Sequence, residues 1–444
     1  MALLAMVTLA YLCYAYAVSL PPRPHLSLRD GASLAPSLGV PDDVQQSWSM
    51  YSPYFAAGTY EAPPDRCLVD QVNLIQRHGA RFPTSGAAAR IKAALSKLRA
   101  ATDLTDPLLA FVEKYKYDLG QDDLVPFGAT QSYEAGQVAF QRYSHILQGQ
   151  EPFVRASSGP RVVDSASNWT AGFAAASEHR YNPEVSVIIS EAGNDTLDDN
   201  MCPAAGSSDA ETNAWLATFA PPMTARLNAG AVGANLTDAD TYNLLTLCPF
   251  DTVAHQRPGD FCAVYEELHA GPAFMYNGDL DKFYGTGYGQ PLGPVQGVGY
   301  INELLARLTE TAVQDQTQTN TTLDSDPATF PLNRTFYADF SHDNQMAAIF
   351  SAMGLFRQSV PLNATKPDPH RTWRTEKIVP FSGRMVVERL SCGGKAKVRV
   401  LVNDALMPLE FCGAGDGVCT LDAFVESQSY ARNNGNGDFE KCFA

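Results

Sequence analysis

The chain has 444 residues, 45% of them hydrophobic and 18% charged, which fits one large folded domain or two and excludes a disordered polymer. A formal net charge of −16 with a pI near 4.9 argues against nucleic acid or an anionic membrane as partner. It also bears against an anionic substrate, an objection that weakens in acid, where carboxylates with pKa values of about 4 gain protons while arginines keep their charge.

Residues 1–19 contain no charged side chain and precede a break at Pro21-Pro22-Arg23-Pro24. The run is short for a membrane span, Ala15-Tyr16-Ala17 offers a small-x-small cleavage site, and a signal peptide is expected although a basic start is missing. No second apolar run is long enough to cross a bilayer. Removing Cys13 with the signal leaves eight of nine cysteines, an even number that fits four disulfides in an oxidising compartment, with their pairing open. Sequons at Asn168, Asn194, Asn235, Asn320, Asn333 and Asn363 agree with a secreted, extracellular glycoprotein.

Residues 20–45, rich in Pro, Ser and Leu, read as an extended arm, and Tyr51-Ser52-Pro53-Tyr54-Phe55 as an aromatic packing cluster. Leu68, Val69, Val72, Leu74 and Ile75 read as a buried strand, and Ala87 to Leu98 as a helix. Between them stands Gln76-Arg77-His78-Gly79-Ala80-Arg81-Phe82-Pro83-Thr84. A glycine lets the backbone approach a ligand, and a helix start offers free N–H groups and a positive dipole end, so two arginines around one histidine here suit a phosphate. An isolated His-Gly pair would read more simply as a loop histidine among surface cations. The full Arg-His-Gly-x-Arg-x-Pro string after a strand is far more restrictive.

Helical patterns follow at about 107–116 and 129–147, then a second strand over 152–156. The helix from Arg161 carries Val162, Val163, Ala166, Trp169 and Phe173, so Arg161 repeats the strand-to-helix position. Residues 185–189 form a third strand. From about 194 to 290 strand signals give way to sequons, three cysteines and helical pieces near 211–229 and 237–247, an inserted, mostly α-helical domain. Gly285-Thr286-Gly287-Tyr288-Gly289 lacks a preceding apolar strand and reads as a rim loop, not a nucleotide site. Val298, Ile301, Leu304, Leu305 and Leu308 form a core stripe on a helix. Residues 335–340 read as a strand ending at Ser341-His342-Asp343-Asn344, with a helix to Met353; late strands at about 377–392 and 396–403 look antiparallel around Ser382-Gly383.

This alternation predicts an α/β fold with a mainly parallel central sheet flanked by helices. Residues 20–193 and 291–444 would form the discontinuous catalytic domain, and the helices around 87–147 could side with either region. Ligands in such folds bind beyond the carboxyl ends of the strands, where the segments at 77, 161 and 342 can converge.

The string around His78, together with Ser341-His342-Asp343-Asn344, resembles the two signatures of the histidine acid phosphatases. Residues 153–162, 281–300 and 324–333 resemble the secreted fungal phytases, above all the mushroom-lineage members, and the similarity runs from about Tyr51 to the C-terminus. The resemblance implies a phosphoglycerate-mutase-like fold, His78 as nucleophile and Asp343 as general acid. Arg77, Arg81, Arg161 and His342 would hold the phosphoryl group, with Thr84 among the substrate contacts. It implies the disulfides Cys67–Cys392, Cys202–Cys442, Cys248–Cys262 and Cys412–Cys419. It also puts Lys282 and Arg90 among basic rim residues that recognise uncleaved phosphates of myo-inositol hexakisphosphate, and Tyr51 near the substrate. Taken alone, Arg90 reads as a solvated helix cation and Tyr51 as packing. Asp281 and Ala87 stand where mould-type relatives often carry basic residues, a departure toward a less basic rim. The mushroom-lineage likeness favours a 6-phytase over a 3-phytase.

The residues can supply the chemistry. A neutral histidine can attack phosphorus, and neighbouring arginines disfavour its imidazolium. Asp343 must be protonated to serve as acid; substrate phosphates raise a carboxyl pKa and arginines lower it, so the balance stays open, and a plain helix N-cap is the alternative. The eight histidines show no His-x-His or His-x-x-x-His spacing and no Cys-x-x-Cys occurs, so neither a metal nor another cofactor is expected. The resemblance implies a small inositol phosphate as the partner; the oligomeric state is open, with a monomer favoured. A broad-specificity acid phosphatase is the alternative, followed by a non-catalytic phospho-ligand-binding secreted protein.

Overall fold

The computed structural model describes residues 35–413 and 415–444; the expected signal peptide, Cys13 and the first part of the arm lie outside them. In chain order, β1 (Cys67–Arg77) leads to α1 (Ser85–Arg99) and α2 (Pro126–Tyr143). Then come β2 (Phe153–Ser157), α3 (Pro160–Ala176) and β3 (Val185–Ile189). Five helices follow: α4 (Asp209–Gly230), α5 (Asp238–Leu245), α6 (Leu247–His255), α7 (Phe261–Glu267) and α8 (Gly271–Gly285). The last third contributes α9 (Val298–Thr309), β4 (Phe336–Ser341), α10 (Asp343–Met353), β5 (Arg384–Cys392) and β6 (Lys395–Val402).

The expected helix-flanked sheet is present and has eight strands. Its parallel half runs β1-β4-β2-β3, and every residue of β2 and β4 is buried, as befits strands covered on both faces. The other half is antiparallel: β5 pairs with β1 and β6 with β5, with short edge pieces at Ala405–Leu406 and Cys419–Thr420. The β5–β6 hairpin turns at Gly393-Gly394, where φ is 58° and 84°, and not at Ser382-Gly383 as the sequence suggests. Two successive positive φ values are what a tight hairpin of matching twist demands, and glycine supplies them without strain. Residues 375–378 form a helical turn, so the strand begins only at Arg384.

One sheet face packs Val72, Leu74, Phe336, Phe340 and Val154 against Phe140, Trp169 and Phe173 of α2 and α3. The opposite face packs Ile75, Tyr337 and Met385 against Ile301, Leu304 and Phe350 of α9 and α10. A third core joins Ile91 and Leu95 of α1 to Leu227, Leu244, Phe250 and Phe274 of α4, α5, α6 and α8. The helix expected over 107–116 is a 3₁₀ segment, Pro107–Glu113, started by the Asp106 side chain and a proline. Disulfides join Cys67 to Cys392, Cys202 to Cys442, Cys248 to Cys262 and Cys412 to Cys419. Among the described residues no helix is long and apolar enough to cross a membrane.

Candidate active site

The carboxyl ends of β1, β2 and β4 deliver the three segments to one place. His78 follows β1 directly; its N–H donates to Ser341 O at 3.0 Å, and its carbonyl accepts from Ser382 N–H at 3.0 Å. Gly79 N–H donates to Ser165 Oγ at 2.9 Å, and that hydroxyl donates to Arg161 O at 2.6 Å, tying the turn to the first turns of α3. A Cβ at Gly79 would collide with the Gly128 backbone, so this glycine serves the close approach of α2. The start of α1 departs from expectation. Ser85 N–H donates to Asp122 Oδ2 at 3.1 Å and Ala87 N–H to Thr84 Oγ1 at 3.4 Å, so protein groups occupy these donors and Thr84 is a helix cap. The helix beginning in the site is α10, with His342 at its N-cap position and no side-chain cap bond.

The nucleophilic candidate is oriented by its own backbone. His78 Nδ1 lies 2.9 Å from Gly79 O, and a carbonyl can only accept, so Nδ1 carries the hydrogen and Nε2 keeps its lone pair. Burial first, then Arg77, Arg81, Arg161 and His342, push its pKa well below the ordinary histidine value. Arg77 Nη1 donates to Met50 O at 2.5 Å and Val379 O at 2.6 Å, and Phe381 stacks 4.7 Å from the guanidinium. Burial lowers Arg77 only to about 10, so it stays charged in acid. Arg77 Nε, Arg81 Nε and Arg161 Nε are buried with no hydrogen-bond acceptor in the protein. Converging buried donors of this kind suit an anion.

Asp343 Oδ2 lies 3.2 Å from Arg77 Nη2 and 3.1 Å from Lys282 Nζ. Burial favours the neutral acid, but Arg77, Lys282, His78 and Arg81 together outweigh it and hold the carboxyl well below its ordinary range. Lys282 is buried and also reaches Asn344 Oδ1 at 2.7 Å and Asp281 at 3.2 Å. Tyr51 packs 4.7 Å from Phe250 and 6.3 Å from Phe381, with Arg81, Asp281, Lys282 and Asp343 as its charged neighbours. Arg90 is exposed on α1 and takes no part in these contacts. A pocket of about 380 Å³ beside Lys282 is lined by Asp199, Ser208, Asp281 and Asn344 among others.

Sequence reasoning missed the acidic side of the site. Glu191 Oε1 stands 3.0 Å and Asp198 Oδ1 3.7 Å from His342 Nε2, while His342 Nδ1 is 3.2 Å from Arg161 Nη2. Glu191 sits two residues past the end of β3, and the rule that placed the other strand-end residues could have found it.

Residues 68–403 match the family described as the histidine phosphatase superfamily (branch 2). The chain belongs to that superfamily. It is 38% identical over 428 residues to phytase A of Aspergillus oryzae, covering 90% of this chain and 91% of that one. It is 39% identical over 423 residues to phytase A of Aspergillus fumigatus, covering 89% and 90%. The crystal structure of the phytase from D. castellii has the same fold, with a TM-score of 0.74, 22% identity, and coverage of 90% of this chain and 87% of that one. A multiple inositol polyphosphate phosphatase of Bifidobacterium longum, in complex with inositol hexasulfate, aligns at a TM-score of 0.62 and 15% identity, covering 85% and 96%. In this branch 2 histidine phosphatase, Arg77, His78, Arg81, Arg161, His342, Asp343 and Lys282 are gathered at the carboxyl ends of the parallel strands, and Arg90 stands apart.

Proposed function

We propose that this branch 2 histidine phosphatase is a secreted acid phytase that hydrolyses phosphate monoesters of myo-inositol hexakisphosphate through a phosphohistidine. The observation that carries the reading is the free lone pair of His78 Nε2 amid buried, unpaired nitrogens of Arg77, Arg81 and Arg161. The relatives named phytase A, alike over nine-tenths of the chain, support the substrate class.

In this reading the arginines and His342 hold the phosphoryl oxygens and neutralise charge in the transition state. His78 Nε2 attacks phosphorus, the ester P–O bond breaks, and Asp343 gives its proton to the leaving alkoxide. The Asp343 carboxylate then takes a proton from water as the oxygen attacks the phosphohistidine; inorganic phosphate leaves, one proton departs with it, and both side chains return to their free-site states. Asp343 is ionised in the free site, so its proton must arrive with the substrate. A phosphate that draws Arg77 into its own hydrogen bonds weakens the pull on the carboxyl and adds negative charge beside it, and both effects raise its pKa.

Attack at the 6-position is the finer reading, resting on the mushroom-lineage likeness. Export is supported by four disulfides and by exposed acceptors at Asn194, Asn235, Asn333 and Asn363; Asn168 and Asn320 are half-buried. A broad acid phosphatase is the second reading. It is favoured by Lys282, which is bound to Asp343 and Asn344, and by Asp199 and Asp281 in the neighbouring pocket, a poor lining for uncleaved phosphates. Phosphate release from phytate and from an aryl phosphate, measured from pH 3 to 7 with a chelator, separates the two. Phytate turnover in acid with a single first pentakisphosphate isomer is expected; cleavage of the aryl ester alone would select the broad phosphatase.

A further inference from the structure

His342 is held from both sides. Arginine can only donate, so Arg161 Nη2 at 3.2 Å makes Nδ1 the acceptor and leaves the ring hydrogen on Nε2. That hydrogen faces Glu191 Oε1 at 3.0 Å. Glu191 is itself fixed: the same oxygen accepts from Gly159 N–H at 2.6 Å and Ser157 Oγ at 3.0 Å, and Glu191 N–H donates to Ser158 Oγ at 3.1 Å. A Cβ at Gly159 would fall 2.6 Å from Glu191 Oε1 and 3.3 Å from His342 Cε1, so the backbone leaves room for this pair and little else.

We propose that Glu191 is a positioning residue: it holds His342 with Nε2–H toward the loop after β3, so that Nδ1 faces the anion seat and gains one proton when an anion binds. The proposal rests on the reading that Arg77, Arg81 and Arg161 seat a phosphoryl group. An entering oxygen draws the Arg161 N–H groups to itself and leaves the Nδ1 lone pair opposite a negative oxygen, which is repulsive. One proton from solvent turns that contact into a charge-assisted hydrogen bond, and the carboxylate on the far side of the ring balances the imidazolium. No bond of the substrate changes in this step.

The charged and titratable groups facing the ring are Arg161 from α3, His78 from the turn after β1, and Glu191, Asp198 and Asp199 from the segment after β3; Asp343 follows it in the chain. Among the carboxylates Glu191 is the permanent anion, its pKa held down at about 2 first by the His342 hydrogen bond. Burial lifts Asp198 to about 6, so it carries a proton at the acid end of the working range, and burial raises Asp199 as well. Glu191, Asp198 and His342 offer ligand atoms within 4.8 Å of one another, a spacing a cation could bridge. A cation on Nε2 would force the ring hydrogen onto Nδ1, against the Arg161 N–H groups, so the observed pairing favours Nε2–H.

Inositol hexasulfate tests this, because its sulfates do not titrate between pH 4 and 7. Calorimetry at pH 7.0, above the ordinary imidazole value of about 6.5, in buffers of different ionisation enthalpy counts the protons taken up, and ¹⁵N-histidine spectra report the state of His342. In the wild-type protein the free ring should carry hydrogen on Nε2 alone and the bound ring on both nitrogens. Glu191→Ala and Gly159→Ala should bind on the order of ten- to a hundredfold more weakly, the span expected for a hydrogen bond to a charged group. They should also lose close to one proton of uptake, matching His342→Asn, whereas Glu191→Asp should retain part of both. Glu191 is one-third exposed on a loop, and Gly159→Ala disturbs the pair without removing a charge, so the two variants do not share one folding risk. Unchanged proton uptake and ring spectra in both variants, with tight wild-type binding, would overturn the role of Glu191 alone. Failure of the wild-type protein to bind the anion would overturn the anion seat and this inference together.

Discussion

Arg77 and Asp343 face each other at 3.2 Å, a buried guanidinium against the carboxyl that the proposed reaction needs in its neutral form. Lys282 approaches the same oxygen at 3.1 Å, so two cations keep Asp343 ionised until a substrate competes for them. Removing one should make protonation easier. In Lys282→Met the Asp343 pKa should rise, and the alkaline limb of kcat should move up by about one pH unit, the scale of a single lost charge partner. A pH profile on phytate checks this. An unmoved limb with a raised KM would mean that Lys282 acts on the substrate instead.

His78→Ala should lower turnover to background on every phosphate ester while the variant still melts cooperatively. Its side chain is buried among charges that disfavour imidazolium, so loss of the ring removes the nucleophile and little packing. Phosphate release beside a thermal melt is the check.

Asp343→Asn should slow an alkyl phosphate by on the order of a hundredfold or more while leaving an aryl phosphate far less affected, because only the poor leaving group needs the proton. Equal losses on the two esters would remove Asp343 from the acid role.

The contribution of Asp251 to stability should favour acid. Burial lifts Asp251 to about 7, where Tyr115 donates to Oδ2 at 2.8 Å and Oδ1 has no partner in the protein. A carboxyl whose pKa is raised by folding binds its proton more tightly in the native state. Its penalty is therefore absent below the unfolded value of about 4 and grows as pH rises toward 7. Asp251→Asn, which keeps an acceptor for Tyr115, should leave Tm at pH 4 nearly unchanged and raise it at pH 7.5, by a stabilisation on the order of a few kcal/mol. A Tm gain equal at both pH values would contradict the assignment.

The parallel strands and the helices after them were legible because their signals are local: apolar runs of strand length ending at Arg77, Ser157 and Ser341, and a stripe over 298–308. The strand-end rule then brought residues 77, 161 and 342 together without coordinates. The hairpin was misplaced because Ser382, itself at a φ of 56°, looks like a turn residue, yet it bends the chain toward His78. The protein contacts of Gly79 and Lys282 were not legible for a shared reason: what a glycine or lysine touches depends on elements far away in sequence, Gly128 for one and Asp343 for the other. The helices around 87–147 divide: Ile91 packs with α4, α5, α6 and α8 and Phe140 with the sheet, a choice the pattern left open. Cysteine number indicated four disulfides; with separations running from 7 to 325 residues, spacing alone could not reveal the partners.

The central claim is a phosphoryl group carried by His78. Enzyme mixed rapidly with phytate and quenched in alkali, where phosphohistidine survives, should yield a peptide spanning His78 that is heavier by one phosphoryl group, and the label should build up more in Asp343→Asn given an aryl phosphate if that variant slows the hydrolysis step. Turnover of phytate with no phosphorylated His78 at any quench time, in either protein, would contradict the account and point to direct attack by water.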